Sequence, residues 1–116
     1  MTSQGSPYSR FRRALDSGNM LIIRAAAAEL PRIGLEHAAA MLLVLERSDP
    51  ANYERAALRW LAMLCQQRDS TLDLLGVAQA AAALDALPSR RPAACASLAA
   101  VCERAGLTDA ARAFSR

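Results

Sequence analysis

The sequence predicts an all-α fold, either a compact bundle or a short helical-repeat array of six or seven antiparallel helices. Alanine and leucine, both strong helix formers, dominate the chain. Aromatic residues, which favour strands along with β-branched ones, make up only 4% of it. The prolines and glycines stand apart and divide the chain into segments of helical length. No segment has the composition of a strand.

Helix ends are marked by residues that cap or break helices. Ser6 followed by Pro7 predicts a helix start, Gly18 predicts its end, and Asn19 can cap the next helix. Asp49 before Pro50 predicts a second such start, and Ser70 with Asp73 resembles a capping box. Together with the other prolines and glycines, these signals predict helices over residues 7–17, 20–30, 34–47, 50–69, 70–87, 92–105 and from 108 onward.

Length and composition predict a single domain. A chain of 116 residues can bury a core without disulfides or metals, so we expect one helical domain over 1–116 with a flexible N-terminus at 1–6. Cys65, Cys95 and Cys102 are an odd number without a CxxC pair, as expected of a reduced cytoplasmic protein. No apolar run reaches the roughly 18 residues of a membrane span, so no membrane association is expected.

The segment around the only tryptophan predicts a core helix. Tyr53, Ala57, Trp60, Leu61 and Leu64 recur at the spacing of one helix face. We interpret Trp60 as a core anchor whose indole N–H requires a hydrogen-bond partner.

Two other segments carry more apolar surface than a small domain needs. Between Met20 and Leu30 only Arg24 and Glu29 are charged, and residues 38–45 contain no polar side chain. Helices that are apolar on nearly every side are either central or covered by a partner. This favours a non-enzymatic protein–protein interaction module, possibly a homodimer. Its predicted partner-binding residues are Leu21, Ile22, Leu42 and Leu43.

Signatures of catalysis, metal binding or cofactor binding are missing from the sequence. His37 is the only histidine, and it lacks the Glu-x-x-His spacing of di-iron bundles. We therefore interpret it as an exposed or half-packed bystander. No glycine-rich phosphate loop occurs. The chain is predicted not to be an enzyme, with no catalytic residues, metal or cofactor. A cavity for a hydrophobic ligand would need larger lining residues than alanine.

An alternative function is nucleic-acid binding. All fourteen basic residues are arginine and the net charge is +3, so an arginine-lined face could contact phosphates. The candidate residues for this face are Arg10, Arg12, Arg13, Arg55 and Arg59. The same arginine content is also expected from GC-rich codons, and we favour a solvated basic face over a phosphate-binding one.

Two stretches resemble the second helix of tetratricopeptide-type repeats, in which a glycine opens the helix and small residues let it nest on its mate. The stretches are Gly106, Ala110, Ala111 and Phe114, and Gly34, Ala38, Ala39 and Leu42. FRRAL at 11–15 and AAAAELP at 25–31 are echoed by YERAAL at 53–58 and AAALDALP at 81–88, through duplication or chance. More broadly, the chain resembles short all-helical proteins rich in alanine and arginine from GC-rich bacteria, a resemblance that implies no activity.

Overall fold

The structure, a computed structural model, describes residues 6–115 and confirms the all-α prediction. In that range the chain forms seven α-helices and no strand. Of the N-terminal segment predicted to be flexible, residues 1–5 lie outside the described range, and Ser6 is the N-cap of the first helix. The helices are α1 (Pro7–Ser17), α2 (Met20–Ala28), α3 (Leu35–Ser48), α4 (Tyr53–Cys65), α5 (Leu74–Ala86), α6 (Arg91–Arg104) and α7 (Thr108–Phe114).

The predicted caps of the first two helices are confirmed. The Ser6 hydroxyl accepts a hydrogen bond from the Ser9 backbone N–H at 3.4 Å. Gly18 ends α1 with a φ of 67°, a left-handed conformation that favours glycine. The Asn19 side chain accepts from the N–H groups of Leu21 and Ile22 at 3.0 and 3.4 Å. These bonds set the tight reversal that makes α1 and α2 a hairpin.

Two predicted helix starts are wrong by several residues. Pro50–Asn52 forms one 3-10 turn, so α4 begins at Tyr53. The Asp49 carboxylate does not cap this helix, because it accepts a hydrogen bond from the Asn52 side-chain amide at 2.7 Å. The cap of α5 is Asp73, which accepts from the Gly76 N–H at 2.8 Å, so the helix begins at Leu74.

The second helix is also shorter than predicted. It ends at Ala28, two residues before the predicted end at Leu30. The N–H groups of Glu29 and Leu30 donate to carbonyls three residues earlier, at 3.2 and 3.0 Å, which tightens the last turn. This turn directs Leu30 inward, and Leu30 is buried.

The end of α6 forms a Schellman motif. The Leu107 N–H donates to the Cys102 carbonyl at 2.8 Å, and the Gly106 N–H donates to the Glu103 carbonyl at 3.0 Å. Gly106 has a φ of 81°, which a residue with a Cβ would adopt only with strain. Thr71 from the α4–α5 loop donates to the carbonyls of Arg104 and Ala105, closing the same helix end.

Helix packing produces a closed ring. α3 packs on α4, and each helix from α4 to α6 packs on the next one in the chain, until α7 returns to pack against α3. In an open repeat array each unit would contact only its neighbours, so the closure between α3 and α7 makes this a bundle. Among the helices of residues 6–115, α3 is the one against which the α1–α2 hairpin packs.

Trp60 is the centre of the main core. It is 2% exposed and packs edge-on against the Phe114 ring at a centroid distance of 5.3 Å. Its indole N–H donates to the Leu35 carbonyl at 3.1 Å. One side chain of α4 thereby joins α3 and α7. The predicted core face of α4 is confirmed, with Leu61 only half-buried.

A smaller apolar cluster lies between the hairpin and α3. Its buried residues all come from α1, α2 and the turn after α2, and Met20, Met41 and Val44 pack around it. The buried members are Phe11, Ala14, Ile23, Ala26, Ala27 and Leu30. The hairpin therefore has its own core, separate from that of the five-helix ring.

Two polar contacts connect distant parts of the ring. Arg91 at the start of α6 donates to Glu46 at 2.8 Å and to the Leu43 carbonyl at 3.2 Å. The Tyr53 hydroxyl donates to the Leu84 carbonyl at 2.6 Å, which connects α4 to α5. Both contacts lie where burial strengthens a hydrogen bond relative to one in water.

Replacing Trp60 with phenylalanine should lower the free energy of unfolding by about 1–3 kcal/mol. The change removes the indole donor to Leu35 and leaves unfilled space in the core. Urea denaturation followed by circular dichroism measures this difference. Leu58→Ala is the control, since Leu58 is 61% exposed on the same helix and its loss should cost under about 0.5 kcal/mol. Equal costs for both variants would contradict the role of Trp60.

Tyr53 should make stability fall at alkaline pH. Burial, with a smaller contribution from Glu46, raises the pKa of Tyr53 from 10.0 to about 12. The unfolded chain ionises this phenol more readily, so its stabilising contribution is complete below pH 10 and lost between pH 10 and about 12. Tyr53→Phe should lower stability by about 1 kcal/mol at neutral pH and make the alkaline decline shallower.

Urea denaturation at a series of pH values tests this expectation. The chain contains no lysine, but the Cys102 thiol, whose pKa burial raises to about 11, also titrates in this window, so the contribution of Tyr53 is read from the difference between the parent and Tyr53→Phe. Tyr8→Phe is the control, because Tyr8 is exposed and its hydroxyl has no such partner in residues 6–115. An alkaline decline that is unchanged in Tyr53→Phe would rule out Tyr53 as its source.

Candidate interaction groove

The hairpin leaves an opening on each side of α3. On one side, a trench runs between α2 and α4 with α3 as its floor. It is lined by apolar side chains and two arginines and has a volume of about 200 Å³. We call it the methionine groove, and its residues are Met20, Arg24, Ala38, Met41, Leu42, Leu45, Ala56, Arg59, Trp60 and Met63.

Three thioethers from three helices meet in the methionine groove. Met20 comes from α2, Met41 from α3 and Met63 from α4, and all three are half-buried. Met20 and Met41 pack on the hairpin core and Met63 packs on the main core. The groove is thus the seam between the two apolar clusters. Methionine suits such a seam because its flexible, polarizable side chain fills irregular spaces.

The floor of the groove is rigid, whereas its walls are adaptable. Leu42, Leu45 and Trp60 are buried core residues, and Trp60 is also held by its hydrogen bond to Leu35. The rest of the lining consists of methionines, alanines and two arginines. An apolar side chain docked in the groove would therefore contact fixed core residues below it and adaptable methionine side chains around it.

The charges of the methionine groove have one sign. Arg24 and Arg59 line it and are exposed, and no acidic residue contributes to the lining. Within residues 6–115 neither arginine forms an ion pair or a side-chain hydrogen bond. Two uncompensated cations at the rim of an apolar trench favour a ligand with apolar and acidic parts.

The predicted partner-binding residues are not on one surface. Leu21 and Ile22 are 77% and 49% exposed on α2. Leu42 is 3% exposed, and Leu43 is half-buried against the main core. The physical reason is that α3 is covered on one side by the ring and on the other by the hairpin. Leu42 therefore belongs to the groove floor rather than to an outer face.

The exposed leucine of α2 is next to the groove residue Met20 in sequence but does not itself line the groove. Leu21 precedes Arg24 by three residues, so the two lie on the same flank of the helix. Ile22 instead lies beside α1, in a shallow depression with Arg10 and Arg13.

The five arginines proposed for nucleic acid do not form one face. Arg10 pairs with Glu29 at 3.1 Å. Arg12 lies in the opening between α1 and α7, while Arg59 lies in the methionine groove on the other side of α3. Arg13 is exposed on α1 and Arg55 is exposed on α4. A single arginine-lined surface of the predicted composition is therefore not present.

The opening on the other side of α3 is the histidine cleft, which runs between α1 and α7. It consists of two adjoining spaces of about 440 and 430 Å³. Both spaces are lined by Tyr8, Glu36, His37 and Asp109. Two of its arginines form ion pairs: Arg112 with Asp109 of the cleft at 3.0 Å, and Arg91 with Glu46, which lies outside the cleft lining, at 2.8 Å.

His37 holds the hairpin to α3. Its ring stacks at a tilt on Tyr8, with centroids 5.3 Å apart, and meets Phe11 edge-on at 5.6 Å. Its Nδ1 accepts a hydrogen bond from the Gly34 N–H at 3.1 Å and thus satisfies one free donor at the start of α3. The half-packed position predicted for His37 is confirmed, and this packing joins α1 to α3.

Metal-binding clusters and membrane-spanning helices are both absent from the described residues. No group of three or more His, Cys, Asp or Glu side chains is arranged to hold a metal ion within residues 6–115. In the same range no helix has both the length and the apolarity required to cross a bilayer.

Sequence patterns did not indicate the residues that form the methionine groove. Met20, Met41 and Met63 are more than twenty positions apart, and no local motif connects them. Their positions on inner flanks of amphipathic helices were compatible with ordinary core packing. Only the docking of the hairpin on α3 brings the three together.

Comparison with known proteins gives no relative: no protein family, curated protein or solved structure matches the chain. The function must therefore be inferred from the surface and chemistry of this molecule.

The three cysteines should react with iodoacetamide in order of exposure. Cys65 is exposed, Cys95 is half-buried and Cys102 is buried. Burial raises the pKa of Cys95, and it raises that of Cys102 to about 11, which lowers the fraction of reactive thiolate. Peptide mass spectrometry after alkylation at pH 8 should show Cys65 modified first and Cys102 last. Early modification of Cys102 in the folded protein would contradict the packing of α6.

Proposed function

We propose that this protein is a non-enzymatic helical interaction module that binds an amphipathic helix of a protein partner in the methionine groove. The observation that carries the proposal is the meeting of Met20, Met41 and Met63 in one groove with two arginines, neither of which forms an ion pair within residues 6–115. The bound helix would place apolar side chains on the methionines and carboxylates next to Arg24 and Arg59.

The shape of the groove supports a helical ligand. A trench between two helices over a third resembles a missing helix position, and amphipathic helices bind such grooves through side chains at i, i+3, i+4 and i+7. Pockets for small molecules have volumes of roughly 300–1,000 Å³. The groove, at about 200 Å³, is smaller. It is better suited to one or two anchoring side chains of a larger ligand.

The methionine lining supports adaptable recognition. Thioether side chains change rotamer at little cost, and surfaces rich in them accept ligands of different shapes. The exposed Leu21 would extend the apolar contact beyond the rim, which accounts for part of the surplus apolar surface of α2.

The arginines would set orientation more than affinity. Exposed ion pairs contribute about 0.2–1 kcal/mol each, but they steer association and exclude ligands of the wrong charge. The leading ligand is therefore an apolar helix with acidic flanks. Self-association through Leu21 and Ile22 stays a prediction, and sedimentation equilibrium tests it.

Fluorescence anisotropy with labelled helical peptides tests the proposal. The peptides span about five helical turns, with leucine at i, i+3, i+4 and i+7 and with glutamate, glutamine or lysine at the flanking positions. We expect the glutamate-flanked peptide to bind most tightly, the glutamine-flanked peptide less tightly and the lysine-flanked peptide most weakly. Ala56→Trp should abolish binding, because the indole would fill the groove.

Charge reversal gives the matched comparison. Arg24→Glu/Arg59→Glu should weaken binding of the glutamate peptide by roughly tenfold or more, since losing two pairs of about 0.7 kcal/mol each amounts to about 1.4 kcal/mol. Arg12→Glu/Arg90→Glu changes the net charge equally at two exposed positions outside the groove, and it should bind nearly as the parent does. Equal weakening in both would indicate general charge attraction and contradict the groove.

Titration of the parent protein with duplex DNA, beside the peptides, tests the nucleic-acid alternative. If the parent binds duplex DNA with a steep salt dependence and binds none of the peptides, the alternative function replaces the proposed one. Thermal unfolding of each variant, followed by circular dichroism, confirms that binding is compared between folded proteins.

A further inference from the structure

The methionine groove contains every methionine of the described chain. The sequence has four methionines; Met1 lies outside residues 6–115, and Met20, Met41 and Met63 line the groove. Each of the three is half-buried rather than enclosed. Their sulfur-bearing side chains therefore belong to the proposed contact surface and also remain reachable from solvent.

This arrangement concentrates one oxidation chemistry at one place. A thioether sulfur attacks a peroxide oxygen, an S–O bond forms as the O–O bond breaks, and proton transfer releases the second oxygen as water. Sulfur is oxidised by two electrons, hydrogen peroxide is reduced to water, and the product is methionine sulfoxide. The product is polar, chiral and reducible by methionine sulfoxide reductases.

We propose that Met20, Met41 and Met63 form a peroxide-sensitive modification site whose oxidation closes the groove to its helical ligand. The inference rests on the proposed function, because it assigns regulation to the same groove. A docked apolar helix would bury each sulfoxide oxygen, and burying a polar group without a hydrogen-bond partner is unfavourable.

The unpaired arginines do not remove this penalty. A guanidinium that donates to a sulfoxide oxygen is held next to that oxygen and has fewer N–H groups left for a bidentate contact with a carboxylate of the ligand. Oxidation would thus weaken the apolar and the charged parts of the contact together. The reduced groove accepts the ligand, and the oxidised groove does not.

The cysteines offer a competing oxidation site that can be removed. Cys102 is buried and Cys95 is half-buried, whereas Cys65 is exposed at the end of α4. Burial keeps the first two thiols in the less reactive protonated form, with the pKa of Cys102 raised to about 11. A Cys65→Ser background isolates the methionines.

The experiment treats the full chain in this background with hydrogen peroxide and then measures binding of the glutamate-flanked peptide. Peptide mass spectrometry counts the sulfoxides at each position. We expect binding to weaken by roughly tenfold or more once the groove methionines are oxidised. Reduction by a mixture of the two stereospecific methionine sulfoxide reductases should restore it, and bound peptide should slow sulfoxide formation in the groove.

The matched control replaces all three methionines with leucine, a change that nearly preserves volume. Because the three positions belong to the proposed contact surface, the untreated leucine variant serves as its own reference, and its affinity, whatever its value relative to the parent, should not change after the same peroxide treatment. If its affinity falls as much as that of the parent, oxidation acts elsewhere and the inference is overturned. The inference also fails if the parent binds undiminished when its groove methionines are sulfoxides, or if its helical circular dichroism signal is lost at the same peroxide dose.

The failure of the proposed function has a different signature. If the reduced parent and the leucine variant both fail to bind every peptide of the series, the groove is not a helix-binding site and its regulation falls with it. If the reduced parent binds but oxidation has no effect, only the redox inference fails.

Discussion

The structure depends on the anchoring of Trp60 between α3 and α7. Its side chain fills the centre of the five-helix ring, and its indole N–H donates a hydrogen bond to the Leu35 carbonyl in the first turn of α3. If the indole N–H were buried without that acceptor, the unmade hydrogen bond would lower the stability of the folded protein. The bond therefore fixes α4 relative to α3 as well as stabilising the core. Because α3 is also the helix on which the hairpin packs in the described part of the chain, its position determines the geometry of both openings.

The abundance of alanine explains why so much apolar surface is left outside. Each of the helices α1 to α7 buries at least one alanine, which lets the helices approach closely, but each alanine fills little volume. A small domain packed this way encloses few large side chains, and several leucines remain exposed, among them Leu21, Leu58, Leu74 and Leu75. Scattered exposed leucines need no explanation. A lined trench with uncompensated cations is a more specific feature.

Local patterns predicted what is determined locally. The caps at Ser6, Gly18 and Asn19, together with the core role of Trp60, follow from short-range chemistry and helical spacing. The 3-10 turn at Pro50–Asn52 was missed. The Asp49 carboxylate could accept a hydrogen bond from a backbone N–H of the helix or from the Asn52 side-chain amide, and the sequence does not show that it takes the amide.

Features that depend on helix packing were not predictable in the same way. Leu42 belongs to an apolar run that suggested an outer face, but the hairpin and the ring cover α3 from opposite sides. The meeting of Met20, Met41 and Met63 required the same knowledge of packing. Periodicity identifies which flank of a helix is apolar, and it does not identify which helix covers that flank.

The hairpin is a wall shared by the methionine groove and the histidine cleft, and it rests on a single helix. A sideways tilt of this wall across α3 cannot enlarge both spaces, since the gap gained toward α4 is lost toward α7. The helix α3 is the axis of such a tilt. A guest that wedges one side open opposes a guest on the other, and thermodynamic linkage makes that antagonism equal in both directions.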